Sequence, residues 1–148
     1  MEKWGDKPYH SLDYENKKRF GEKVYKISLA GGTTCPNRDG TLGTRGCCFC
    51  SGSGSGDFAA TKGSITEQIE EAIARVSRYK NAGHHFTAYF QSFTATYAPV
   101  ETLRAAWEEA MTHESVVTLA IATRPDCLGD DVLSLLVDCC RKMPVTVE

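Results

Sequence analysis

An α/β protein built on a parallel sheet is the architecture this sequence predicts, and three observations carry it. Short apolar, β-branched segments alternate with longer segments of helical periodicity, in the order strand, helix, strand, helix, strand, helix, strand. Such alternation implies βαβ units with right-handed crossovers. One of the strands, Val116 to Ala122, is almost wholly apolar, as a parallel strand covered on both faces should be. The chain also stops at Glu148 inside an apparent fourth strand. An open sheet and a piece of a (β/α) barrel both satisfy this pattern. A complete barrel needs roughly 200 residues or more, so 148 residues would hold about three and a half βα units of one, and we read the chain as truncated from a longer protein.

In order along the chain, residues 1–22 are polar and aromatic and read as an N-terminal arm. Its basic run Lys17-Lys18-Arg19 belongs on a solvated helix face or extended arm. The core domain is expected from residue 23 to 148. Val24 to Leu29 is rich in β-branched and apolar residues and forms the first strand. Gly31 and Gly32 end it and open a loop running to about Gly56. Loops of that length inside a compact domain are usually functional. Its Ser51-Gly52-Ser53-Gly54-Ser55-Gly56 stretch has linker composition and is expected to be a mobile part of the loop.

Ser64 and Glu67 form a capping box ahead of Ile65, Ile69, Ala72, Ile73 and Val76 at helical spacing, and Asn81 and Gly83 stop that helix. A strand follows at about Phe86 to Gln91. Pro99 opens a helix carrying Leu103, Ala106, Trp107 and Ala110. After the apolar third strand, Thr123 to Asp126 form a break. The last helix is expected to bury Val132, Leu133, Leu136 and Val137, and Val145 to Val147 begin the fourth strand.

Composition narrows the function. A net charge of −2 argues against tight, non-specific attachment to nucleic acid, though not against an RNA gripped by a local patch. No apolar run approaches the roughly 20 residues of a membrane span, so a cytoplasmic protein without a membrane partner is expected.

Seven cysteines are many for such a protein, and four of them lie between Cys35 and Cys50. In a reducing compartment a tight cluster points to metal or redox chemistry. Cys127, Cys139 and Cys140 stand apart and read as core or helix residues. The tight group has the form Cys35-x11-Cys47-x2-Cys50, with Cys48 between the last two. Four thiolates could close a tetrahedral zinc site, which would make the chain a zinc-stabilised structural or binding module. Adjacent residues rarely ligate one centre, however, because their side chains diverge. That leaves three good ligands. Three thiolates suit an iron–sulfur cubane with one iron left open.

The ending Cys47-Cys48-Phe49-Cys50, in the loop after the first strand, resembles the Cys-x-aromatic-Cys of the radical S-adenosylmethionine (SAM) motif. The longer phrase Cys35-Pro36-Asn37-Arg38-Asp39-Gly40-Thr41 with Gly46-Cys47-Cys48-Phe49-Cys50 is similar to that of a bacterial radical SAM family related to the Elp3-type tRNA-modifying enzymes. Tyr89-Phe90-Gln91 and Thr123-Arg124-Pro125-Asp126-Cys127-Leu128 resemble that family too, and the likeness covers nearly the whole chain.

This resemblance implies a TIM-barrel-like radical SAM fold in which Cys35, Cys47 and Cys50 bind a [4Fe–4S] cluster and SAM occupies the fourth iron. Reduction by an external electron donor would cleave SAM and give a 5′-deoxyadenosyl radical for hydrogen abstraction from RNA, such as tRNA, or another cellular substrate. Phe49 would lie against adenine. Gln91 and Ser92 would stand where the superfamily has a glycine-rich SAM contact, although this chain has no glycines there. Arg124 would contact SAM or substrate, and Glu148 would line the ribose.

Overall fold

The computed structural model describes residues 3–60 and 62–148. It has four strands, β1 (Tyr25–Leu29), β2 (Phe86–Phe90), β3 (Val116–Ile121) and β4 (Val145–Val147), and four α-helices, α1 (Leu12–Phe20), α2 (Ile65–Tyr79), α3 (Val100–Thr112) and α4 (Asp130–Lys142). The strands form one all-parallel sheet in the order β1-β2-β3-β4. When parallel strands follow one another in sequence order, right-handed crossovers must all pass over the same face.

Burial agrees with that topology. Ile27, Leu29, Phe86, Ala88, Phe90, Leu119 and Ile121 point to one side and join the helix residues Ile69, Leu103, Trp107 and Leu135 in a single core. Trp107, 1% exposed, is the largest side chain of that core. A side chain of this kind contributes about 1.5–3 kcal/mol by leaving water.

The opposite face carries no helix among the described residues, and it is polar. By alternation it presents Lys26 and Ser28 from β1, Thr87 and Tyr89 from β2, Thr118 from β3 and Thr146 from β4. The Thr118 hydroxyl donates to the Thr87 hydroxyl at 2.7 Å. Lys26 lies 4.3 Å above the Tyr89 ring and pairs with Glu148, the residue after β4. In a flat sheet the first and fourth strands would stand about 14 Å apart, with their side chains perpendicular to the sheet. The ion pair therefore requires the sheet to curl around its bare face.

Local chemistry sets the elements. The α2 capping box is formed: Glu67 N–H donates to Ser64 Oγ at 3.2 Å, and Ser64 N–H donates to Glu67 Oε2 at 2.7 Å. Caps of this kind are worth about 1 kcal/mol. In β3 the register slips by one residue, because Phe86 faces Val116 while Thr87 faces Thr118. Val117 is the extra residue of that bulge.

One expectation needs correction. The buried stripe of α4 is Val132, Leu135, Leu136 and Cys139, while Leu133 and Val137 are exposed. The stripe obeys i, i+3, i+4, i+7 spacing, and Cys139 completes it as a small apolar residue. The arm contains a helix, α1, which Ser11 caps at its start and Gly21 ends with φ +78°, in keeping with a solvated helix face for its basic run. Its basic run is the exposed last turn. Beyond it the Glu22 carboxylate accepts hydrogen bonds from the N–H groups of His84 and His85 at 2.7 and 2.9 Å, fastening the arm to the start of β2. Among the described residues no helix is long and apolar enough to cross a membrane.

Candidate functional site

The connection from β1 to α2 holds four of the cysteines and is shaped mainly by turns. Arg38 N–H donates to Cys35 O at 2.8 Å, and Asp39 Oδ1 accepts from Thr41 N–H at 2.9 Å. That backbone bond leads the interactions that hold the Asp39 carboxyl below the usual carboxylate range. Leu42 N–H then donates to Pro36 O at 2.8 Å, and Gly46 N–H to Asn37 O at 2.9 Å. These two bonds fold the loop back on itself and deliver Cys47 beside the Cys35 turn. A tight turn closed by Cys50 N–H to Cys47 O, 3.0 Å, faces Cys47 and Cys50 inward and leaves Cys48 exposed.

The Ser-Gly stretch supplies the next wall. Two of its three glycines, Gly54 and Gly56, occupy places where no side chain fits, while Gly52 faces open space. A Cβ on Gly54, whose φ is +61°, would stand 2.3 Å from the Phe93 ring; one on Gly56 would stand 2.0 Å from Ser92 Oγ. Phe93 N–H donates to Gly54 O at 2.8 Å, locking the stretch onto the segment that follows β2. Two non-glycine residues, Ser55 (φ 67°) and Phe93 (φ 61°), are left-handed. Strain of this kind persists where surrounding packing imposes it, often at functional sites. Arg38 ties the parts together: its guanidinium donates to Ser51 O and Gly52 O, packs against Gly46 and lies 5.5 Å from the Phe93 ring.

These segments enclose a cavity of about 340 Å³ at the C-terminal ends of β1, β2 and β3. Parallel α/β folds place their ligands at that end of the sheet. Cys35, Cys47 and Cys50 line it with Phe49, Gln91 and Arg124. Ser92, expected beside Gln91, does not line it; it is 5% exposed and sits behind the wall under Gly56. Phe49 is 79% exposed at the rim.

Arg38 and Arg124 are the cations of the lining, and among the described residues no carboxylate belongs to it. Asp126 grips Arg124 with two bonds, at 2.9 and 2.7 Å. That grip raises the Arg124 pKa further, and a smaller contribution comes from the nearby Cys35. Tyr89 forms part of the floor, and burial, with Glu148 next, raises its hydroxyl pKa. Glu148 itself is held below the usual range, chiefly by its bond to Lys26. It is therefore occupied by Lys26 across the bare face.

The side chains of Asn37 and Arg38 do more than shape the turns of this loop. Asn37 Nδ2 donates to Cys47 Sγ at 3.1 Å, and Ser55 Oγ lies 3.2 Å from Cys50 Sγ. Gln68 was also missed: it is buried in α2 and receives Ala30 N–H at 2.9 Å, anchoring the start of the loop. Their place just after Cys35-Pro36 was a signal for Asn37 and Arg38. Nothing local marked Ser55 or Gln68.

The fold and cavity together define an α/β protein with a three-thiol, cationic pocket at the C-terminal edge of a parallel sheet. No family model and no solved structure matches the chain. It is similar to the uncharacterized protein YtqA of Bacillus subtilis, 44% identical over 97% of this chain and 44% of the relative. It is also similar to protein YhcC of Escherichia coli, 43% identical over 82% of this chain and 38% of the relative. The uncharacterized protein MJ0486 of Methanocaldococcus jannaschii is 34% identical over 82% of this chain and 37% of its own length. The chain thus spans less than half the length of the curated relatives it matches.

Proposed function

We propose that this chain carries the cluster-binding part of a radical SAM enzyme, and that its curled sheet is a segment of a (β/α) barrel wall. The observation that carries the reading is the convergence of Cys35, Cys47 and Cys50, but not Cys48, on one cavity rimmed by Phe49. Three thiolates suit a cubane, because each can take one iron and leave the fourth open. Hydrogen-bond donors at two of the sulfurs and an arginine near the third suit a centre of net negative charge.

In this reading Cys35, Cys47 and Cys50 hold a [4Fe–4S] cluster, and the remaining cavity takes SAM. The whole cavity, about 340 Å³, lies at the lower end of the range of about 300–1,000 Å³ usual for small-molecule sites. When bound and reduced by an external donor, the cluster supplies the electron that cleaves SAM to a 5′-deoxyadenosyl radical. The protein's residues bind and exclude water. Phe49 offers an apolar surface to adenine, Arg124 (held straight by Asp126) offers a fixed cation to a carboxylate, and Gln91 offers an amide beside it. The polar bare face, with Tyr89, Thr87 and Ser28, would receive the substrate, for which RNA is the class we propose.

Anaerobic purification and reconstitution test the reading. We expect a brown protein with about four irons and four sulfides per chain, an EPR signal on reduction, and 5′-deoxyadenosine from added SAM. A colourless protein holding one zinc would replace this reading with the zinc-stabilised module.

A further inference from the structure

We propose that Asn37 and Ser55 are positioning residues that hydrogen-bond the Cys47 and Cys50 sulfurs and thereby set the reduction potential of the centre those sulfurs hold; this rests on the cluster reading above. The geometry is specific. Asn37 Nδ2 is 3.1 Å from Cys47 Sγ, and Ser55 Oγ is 3.2 Å from Cys50 Sγ. A thiolate only accepts hydrogen bonds, so both side chains must present N–H or O–H to it.

Both donors are held by bonds that do not involve the sulfurs. The Asn37 carbonyl receives Gly46 N–H at 2.9 Å, and the Ser55 backbone is set by Gly54, whose carbonyl receives Phe93 N–H at 2.8 Å. Ser55 is the more telling of the two. It sits at φ 67°, between Gly54 and Gly56. Glycine adopts that conformation freely and serine does not. A strained serine in a glycine-rich stretch, with its hydroxyl on a ligating sulfur, is the residue that backbone comfort alone would not choose. The other two serines of the stretch are otherwise engaged: Ser51 Oγ donates to Asp57, and Ser53 is exposed.

One-electron reduction adds negative charge to a centre already ringed by thiolates. A hydrogen bond to sulfur stabilises the reduced state more than the oxidised one, which raises the potential. Removing a donor should therefore lower it and make the centre harder to reduce.

The test uses the intact protein, reconstituted anaerobically, with iron and sulfide quantified and the midpoint potential measured by EPR-monitored redox titration without SAM. The variants are Asn37→Leu, Ser55→Gly and their combination. We expect equal iron and sulfide in wild type and variants. The reduced-to-oxidised ratio at fixed poise should fall up to tenfold per donor lost, tenfold being a downward shift of about 59 mV. A merely structural Ser55 would leave the potential unmoved on Ser55→Gly, since glycine relieves the backbone strain. Should Asn37→Leu fail to assemble, Ser55→Gly decides alone. Equal iron with one shared midpoint in all loaded proteins overturns the inference and leaves the cluster reading intact. No cluster in wild type overturns both.

Discussion

Gly56→Ala is the sharpest probe of how the thiol-bearing loop is seated. The new Cβ would lie 2.0 Å from Ser92 Oγ, 2.9 Å from Ser92 Cβ and 3.1 Å from Ser53 O. Its backbone dihedral needs no glycine, so the whole penalty comes from that collision. Ser92 is 5% exposed and has little room to swing aside. Overpacking of this kind typically costs about 1–3 kcal/mol. Ser92→Gly removes the two nearer atoms and leaves only the milder 3.1 Å approach to Ser53 O. By itself it should cost about 0.5–1 kcal/mol in backbone freedom, partly offset because the Ser92 hydroxyl is buried without a partner among the described residues. The double variant should then lie close to Ser92→Gly, with a coupling energy of about 1–2 kcal/mol, within the range seen for residues in contact. Urea unfolding of the four proteins, followed by circular dichroism, measures this. A Gly56→Ala protein within about 0.3 kcal/mol of wild type, or a double variant equal to the sum of the singles, would refute the packing argument.

Three further outcomes are expected. Cys35→Ala, Cys47→Ala and Cys50→Ala should each lose iron and sulfide after anaerobic reconstitution, whereas the exposed Cys48 should be replaceable by alanine with iron retained. Arg38→Met should lose the bonds to Ser51 O and Gly52 O and the stacking on Phe93, costing about 1–3 kcal/mol in thermal or urea unfolding. Glu22→Gln should destabilise in a pH-dependent way. The N–H groups of His84 and then His85 depress the folded pKa of Glu22. Its contribution is therefore complete above the unfolded value of about 4.3 and disappears as pH falls through the lower folded value. The difference in melting temperature between wild type and variant should shrink as pH falls below about 4; a gap that still widens there would contradict this linkage.

The strands, the three long helices and the four-cysteine loop were legible because each rests on short-range information. Alternation and 3.6-residue periodicity are local properties, and a capping box such as Ser64 with Glu67 spans four residues. Where the local signal was ambiguous, the sequence reading slipped. In α4, Leu133 and Val137 are as apolar as Leu135 and Cys139, and only the position of the sheet selects which stripe is buried. In α1 the nine residues are too polar to announce a core-facing side, so the helix depends on the Ser11 and Gly21 caps.

From sequence alone came the α/β class, the parallel connections and the thiols able to ligate, since covalent order and residue chemistry determine these. Tertiary structure decided the strand order, the gathering of every crossover helix onto one face, and the curl that joins Lys26 to Glu148. It also decided that Gln91 and Arg124 share a cavity with the cysteines while Ser92 lies behind its wall, and that Asn37 and Ser55 reach the sulfurs. The physical reason is range. In a loop without helix or strand, side-chain direction is set by hydrogen bonds to distant backbone, such as Phe93 N–H to Gly54 O and Thr94 N–H to Thr34 O, and partners so far apart along the chain leave no periodic trace in it.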